Sequence, residues 1–372
     1  MRPEALAASA AATGGGPPPP PPVHTSLARR LLTVVCAGLG GAAAYAVSVP
    51  LPWVLGAMAG TALVMLAGQG ARQPMVLRRT AQITIGTALG LTFTQDVIAE
   101  VASLTGWMVG GAVFSVLLTM LFAPLIQRLA RMDGATSVYS VAVGASAEMA
   151  LQAQRAGADG AQVASAHAIR IILVVSLASV VAHYSGEAAA GSFLTSTTPL
   201  LPWHMAALLL VAAPLCGYLA NRARIPNAWL LGPLVMTAAI AASGLTARMF
   251  PAALIAAQVL IGWSLGQHMT RQFFIKSPRV LVSAAFVTLC MLTACVLTAW
   301  AVSRSGSFTL LTAFLGVAPG GTAEMAIIAK TFGIGAPVVT AFHFFRVVTM
   351  VTLIGWIGRT LLRCGWVKAE AP

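Results

Sequence analysis

Long apolar runs separated by short polar punctuation dominate the chain from Leu31 onward. No Asp, Glu, Lys or Arg occurs between Leu31 and Ala71, Val101 and Gln127, Ile225 and Ala247, Met249 and Thr270, or Val280 and Ser303. Each run can hold a membrane-crossing helix, which takes about 20 residues. The longest predicts two helices divided near Pro50 and Pro52, because a proline ring interrupts the helical hydrogen-bond ladder. Two segments depart from this pattern: VGASAEMALQAQ from Val143 and PGGTAEMAIIAK from Pro319 put glycines and a carboxylate inside apolar sequence. A helix made only to fill lipid has no use for them. Irregular backbone at membrane depth is tolerated where protein or water covers it, so both segments predict broken or re-entrant helices.

Composition agrees with this reading: 58% of the 372 residues are hydrophobic and 8% are charged, as in a polytopic membrane protein. The net charge of +13 changes the picture little, because the basic residues form small clusters beside apolar runs, as at Arg29-Arg30, Arg78-Arg79, Arg128 with Arg131, and Arg222 with Arg224. These are membrane flanks, and no basic, aromatic-rich soluble segment offers nucleic acid a platform. Cys36, Cys216, Cys290, Cys295 and Cys364 lack metal-ligand spacing and read as small core residues. Residues 1–26, rich in Ala, Gly and Pro, form a low-complexity tail with no secretory-signal pattern.

A single gapless offset of 176 residues lays the second half of the chain over the first. Pro50, Trp53, Leu55 and Gly56 fall on Pro226, Trp229, Leu231 and Gly232; QITIGTALG at Gln82 falls on QVLIGWSLG at Gln258; GASAEMALQAQ at Gly144 falls on GGTAEMAIIAK at Gly320. The register then continues through His167/His343 and Arg170/Arg346. Matches of Trp, Glu, Gln, His and Arg are not forced by an Ala-rich composition. The expected organisation is therefore membrane repeat 1 over 27–200 and repeat 2 over 201–372, each with five or six helical segments. Arg29-Arg30 precede the first helix of repeat 1, whereas Arg222 and Arg224 follow its counterpart, about Met205 to Leu219. Arg72, Arg78 and Arg79 likewise precede one third helix, while Arg271, Lys276 and Arg279 follow the other. If basic flanks face the cytoplasm, the copies are inverted, although Arg248 and Arg304 go against the trend.

Of nine acidic residues, seven fall in the tail, at helix ends or in loops, which leaves Glu148 and Glu324 at membrane-like depth and at the same repeat position. A charge there costs roughly 2.5 to 3.5 kcal/mol and needs a partner, water, a proton or a function. His167 and Arg170 lie three residues apart, as do His343 and Arg346, so each pair shares a helix face. Each repeat thus supplies an acid, a base able to titrate near neutral pH and a fixed cation that could converge in one pocket. The bland reading makes Glu148–Arg170 and Glu324–Arg346 structural salt bridges and His167 and His343 core histidines. Pro319, Gly320 and Gly321, with Gly144 in the other copy, are expected to open the helix so that unsatisfied backbone lines a cavity. Gln82 and Gln258 suggest interhelical hydrogen bonds, with a site-lining role as the sharper reading. Trp53 and Trp229 read as interfacial anchors.

These paired GxxAEM and PxxWxxG segments, in a chain of this length, resemble the AbrB-family integral membrane proteins, which carry a duplicated AbrB domain. Members bear labels such as ammonia monooxygenase or transcriptional regulator, and the family has been linked by name to regulation of gene expression. It looks unlike the small DNA-binding regulator that shares the name. It is more distantly similar to antiporter and anion-transporter folds with crossing broken helices. The expectation is an all-α, multi-pass, non-enzymatic protein of the bacterial inner membrane. Its partners would be membrane lipid and a small solute or ion, with H+ or Na+ coupling, no cofactor, no metal and no nucleic acid. An oligomer is compatible with its apolar faces. An ion-coupled secondary transporter is the leading function, since no nucleotide-binding Gly-rich Lys-Ser/Thr loop is present. A membrane sensor with an indirect effect on gene expression is the alternative. A monooxygenase built on His167, His343 and the two glutamates ranks last, for want of a compact ligand motif.

Overall fold

The computed structural model describes residues 26–185, 198–276 and 278–368. All but one residue of the expected tail thus lies outside the described part. Within it every extended element is an α-helix, and the one β feature is an isolated parallel bridge between Leu200 and Arg248. The first half runs α1 (Leu27–Ala46), α2 (Pro52–Leu66), α3 (Met75–Gly90), α4 (Gln95–Ser103), α5 (Thr105–Ala130), α6 (Gly134–Val141), α7 (Ser146–Arg155) and α8 (Gly160–Tyr184). The second runs α9 (Trp203–Arg222), α10 (Ala228–Ala242), α11 (Pro251–Gly266), α12 (Arg271–Lys276), α13 (Pro278–Ser303), α14 (Leu310–Val317), α15 (Thr322–Thr331) and α16 (Ala336–Arg363). Six of these (α1, α5, α8, α9, α13 and α16) are long and apolar enough to cross a bilayer, and α2, α10 and α11 are shorter apolar helices. The chain is an all-α polytopic membrane protein.

Local chemistry sets the boundaries. Leu51 and Asn227 precede α2 and α10 in the left-handed backbone region, at φ 50° and 54°. Asp133 and Thr309 cap α6 and α14 by accepting from the N–H groups of Thr136 and Thr312, which supplies partners that a helix start otherwise lacks. Helix ends also keep one spacing: Leu27–Ala46 and Trp203–Arg222, Gly134–Val141 and Leu310–Val317, and Ser146–Arg155 and Thr322–Thr331 are pairs of equal length in the register of the sequence match.

Two regions pack together. Helices α1–α3 and α9–α11 form one, with α3 crossing α10 and α11 crossing α2. The crossings are close because glycines face backbone: a Cβ at Gly86 would overlap the carbonyl oxygen of Leu230, and one at Gly262 would meet that of Val54. The other region pairs the long helices, α5 with α16 and α8 with α13, around α6, α7, α14 and α15. Half-helix α15 also packs on α3, so it bridges the two regions.

Candidate functional site

Both segments singled out by their glycines are broken helices. Helix α6 stops at Val141 and α7 begins at Ser146; α14 stops at Val317 and α15 begins at Thr322. Met149 and Met325, both fully buried, fold their side chains over Gly144 and Gly320, where a Cβ would collide with them. The first break has Val143 where the second has Pro319, so it does not depend on proline.

The freed carbonyls are not left open, contrary to the expectation that they line a cavity. His343 Nε2 donates to Leu315 O at 2.8 Å, and Arg346 donates to Ala318 O at 2.7 Å and to Gly320 O at 2.8 Å. In the first copy His167 Nε2 donates to Tyr139 O at 2.9 Å and Arg170 to Val141 O at 3.0 Å. Each guanidinium also reaches Nδ1 of its histidine, at 3.2 Å for Arg170 and 3.0 Å for Arg346. A carbonyl can only accept and a guanidinium can only donate, so each imidazole is the neutral tautomer with its proton on Nε2. All four side chains are at most 3% exposed. Each His-Arg pair is a clamp on the C-terminal end of a half-helix, where the helix dipole also favours a cation.

Glu148 and Glu324 occupy the complementary ends. Each lies in the first turn of its half-helix, where the dipole favours an anion. The Glu324 carboxylate folds back over Gly321, so closely that a Cβ there would strike Oε2. Glu148 Oε1 accepts from Gln152 Nε2 at 3.3 Å. Among the described residues neither glutamate forms an ion pair with Arg170 or Arg346, whose terminal nitrogens go to backbone carbonyls and histidine while each Nε is buried without a partner. Each break is therefore charge-matched at both ends without a salt bridge. Nor do α7 and α15 share a packed face; α7 lies on α8 and α6, and α15 on α16, α8, α14 and α3.

Both histidines have both ring nitrogens engaged, so neither can ligate a metal without dismantling its clamp, and a metal-based oxygenase centre does not fit these residues. Gln82 Nε2 donates to Asn227 Oδ1 at 3.2 Å, an interhelical bond between α3 and α10, whereas Gln258 is 6% exposed and has no such partner. Trp53 stacks on Tyr45 at 5.9 Å between ring centroids, and Trp229 lies under the Arg79 guanidinium at 4.6 Å.

One residue near these elements was not a candidate in the sequence reading. Lys330 of α15 donates from Nζ to Ala88 O of α3 at 2.7 Å. The signal for Lys330 lay in the duplication, since its counterpart is the neutral Gln154.

Two interrupted helices buried among long apolar ones define a class: multi-pass membrane proteins with discontinuous helices and buried polar clusters. Within it the chain belongs to the AbrB family, because the family model described as "Transition state regulatory protein AbrB" matches residues 53–362. It is 26% identical over 358 residues to "Uncharacterized protein YhjN" of Bacillus subtilis strain 168, covering 88% of this chain and 92% of that protein. It is 24% identical over 316 residues to "Putative regulator AbrB" of Escherichia coli K12, covering 82% and 88% respectively.

Proposed function

We propose that this chain is an ion-coupled secondary transporter of a small solute, with anions among the candidates, in the bacterial inner membrane. The observation that carries the reading is the pair of first-turn carboxylates on two broken helices, half-buried and, among the described residues, in no ion pair with an arginine. Discontinuous helices with charged groups at their broken ends are how inverted-repeat transporters build midplane ion and substrate sites. Glu148 and Glu324 are the coupling-ion acids, for H+ or Na+. Gly144, Pro319, Gly320 and Gly321 form the interruptions, and Gln82 and Gln258 line the approach from the region of α1–α3 and α9–α11. Arg170, Arg346, His167 and His343 hold the breaks open by satisfying their carbonyls, a positioning role in place of direct substrate contact. The equal spacing of helix ends in the two halves supports a duplicated chain, and the arginine flanks support inverted copies. No enzymatic chemistry enters this reading.

The test is the internal pH of proteoliposomes carrying wild type or Glu324→Gln, under an imposed sodium gradient and then with a panel of small organic anions outside. A gradient-driven signal lost in the variant supports the reading, and silence under every condition with folded, inserted protein removes it. The name of the Escherichia coli relative favours a second reading, a solute sensor acting indirectly on gene expression. Solute binding that persists with no flux in either direction would select that alternative.

A further inference from the structure

A small pocket lies between α6, α8 and α13, beside the clamp of the first break. Its volume is about 10 Å3, the room that one water needs. The walls are apolar apart from three side chains, Ser140, Arg170 and Thr288, each at most 3% exposed. Arg170 gives its terminal nitrogens to Val141 O at 3.0 Å and to His167 Nδ1 at 3.2 Å, but its Nε–H has no partner among the described residues. The Ser140 hydroxyl has none either. Thr288 donates from Oγ1 to Ala284 O at 2.7 Å, which leaves its oxygen able to accept but not to donate again. Buried polar atoms left over in this way are ordinarily completed by water or an ion.

The duplication builds the same place differently in its second copy. The counterpart of Ser140 is Gly316, which has no hydroxyl, and the counterpart of Ala166 on the pocket wall is Phe342. The Phe342 ring lies against Gly316, 3.2 Å from where a Cβ would stand. One copy thus covers the flank of its clamp with a phenyl ring, and the other, with a small alanine and an added hydroxyl, leaves a polar space there.

We infer that this pocket binds one ordered water, which accepts from Arg170 Nε–H and from the Ser140 hydroxyl and donates to Thr288 Oγ1. Three hydrogen bonds are the usual number for a buried water. A halide would meet the same two donors but would face the lone pairs of Thr288, whose proton is spent on Ala284 O. The water joins the first clamp to α13, a link made through solvent. No step of this inference uses the transport reading, so the two fail separately.

The experiment is a crystal structure of the purified full-length protein at a resolution that shows ordered water, with bromide replacing chloride in a second crystal. One density peak within hydrogen-bond distance of all three atoms, with no anomalous bromine signal, is expected. An empty pocket in a map that shows other buried waters, or bromine at the site, would overturn the assignment. Ser140→Gly combined with Ala166→Phe carries the second copy's residues into the first and should abolish the peak; a peak that persists would count against the inference. Denaturant unfolding supplies a test that needs no crystal. Ser140→Ala and Thr288→Val remove two partners of one water, so the change in unfolding constant of the double variant should differ from the product of the single effects by about threefold or more. Agreement with that product would mean that the two hydroxyls share no ligand.

Discussion

At the scale of single residues, the arginines and glutamates of the two breaks serve different ends of the same interruption. Removing Arg346 strips two donors from Ala318 O and Gly320 O in a buried setting, whereas Glu324 contributes only to a helix start. Arg346→Met should therefore cost about 3 kcal/mol or more, and Glu324→Gln less than about 1 kcal/mol, in denaturant unfolding of the purified protein. If both cost the same several kcal/mol, the glutamate and the arginine are partners after all. The sequence singled out these residues through their repetition, and the glutamate–arginine salt bridges of its bland reading do not form. A bond to a backbone carbonyl leaves no trace in residue identity, since every residue carries that acceptor. The same limit hid the histidine tautomer, which follows only from seeing a carbonyl on one nitrogen and a guanidinium on the other.

At the scale of elements, the breaks and the tight crossings have separate causes. Val143 stands where the second break has Pro319, and both copies still interrupt after eight residues of half-helix. The interruption therefore rests on the carbonyl clamps, and Pro319→Ala should shift the unfolding free energy by less than about 1 kcal/mol. The crossings of α3 over α10 and of α11 over α2 rest on the absence of a side chain. Gly86→Val and Gly262→Val should each cost at least about 2 kcal/mol, because the backbone carbonyls they would strike cannot move independently of their helices. Gly38→Val meets nothing within 4 Å and serves as the control, with little loss in the same measurement. Helix existence was legible in the sequence, since apolar runs and proline boundaries set it locally. Which glycines meet which carbonyls was not, because a crossing is a long-range fact joining residues about 140 to 210 positions apart.

At the scale of the whole molecule, the charge pattern and the equal helix spacing lead to one geometric consequence. If the two copies are inverted, equivalent residues must face opposite sides of the membrane. Ala67 and Ser243 are such a pair: both are exposed, both follow the short second helix of their copy, and neither has a positive φ. By the basic-flank rule, Arg72, Arg78 and Arg79 shortly after Ala67 put it on the cytoplasmic side, whereas Ser243 is separated from Arg222 and Arg224 by α10 and falls on the opposite side, Arg248 being the exception to the trend. In a background lacking Cys36, Cys216, Cys290, Cys295 and Cys364, Ser243→Cys should react with an impermeant maleimide in intact spheroplasts. Ala67→Cys should react only after permeabilisation. Labelling of both from the same side would mean parallel copies, and a pair of broken helices related by parallel repetition presents both carboxylates toward one compartment. An acid that must face each side in turn would then require the whole long-helix region to reorient. With inverted copies, a rocking of α1–α3 and α9–α11 against the rest exchanges the two faces, and α15, which touches both regions through α3, lies at the boundary that must slide. Lys330 is bound to Ala88 across that boundary, so Lys330→Met should change the rate at which a cysteine placed at Thr331 becomes accessible. Unchanged accessibility at Thr331 would mean that the contact of α15 with α3 is not the one that slides.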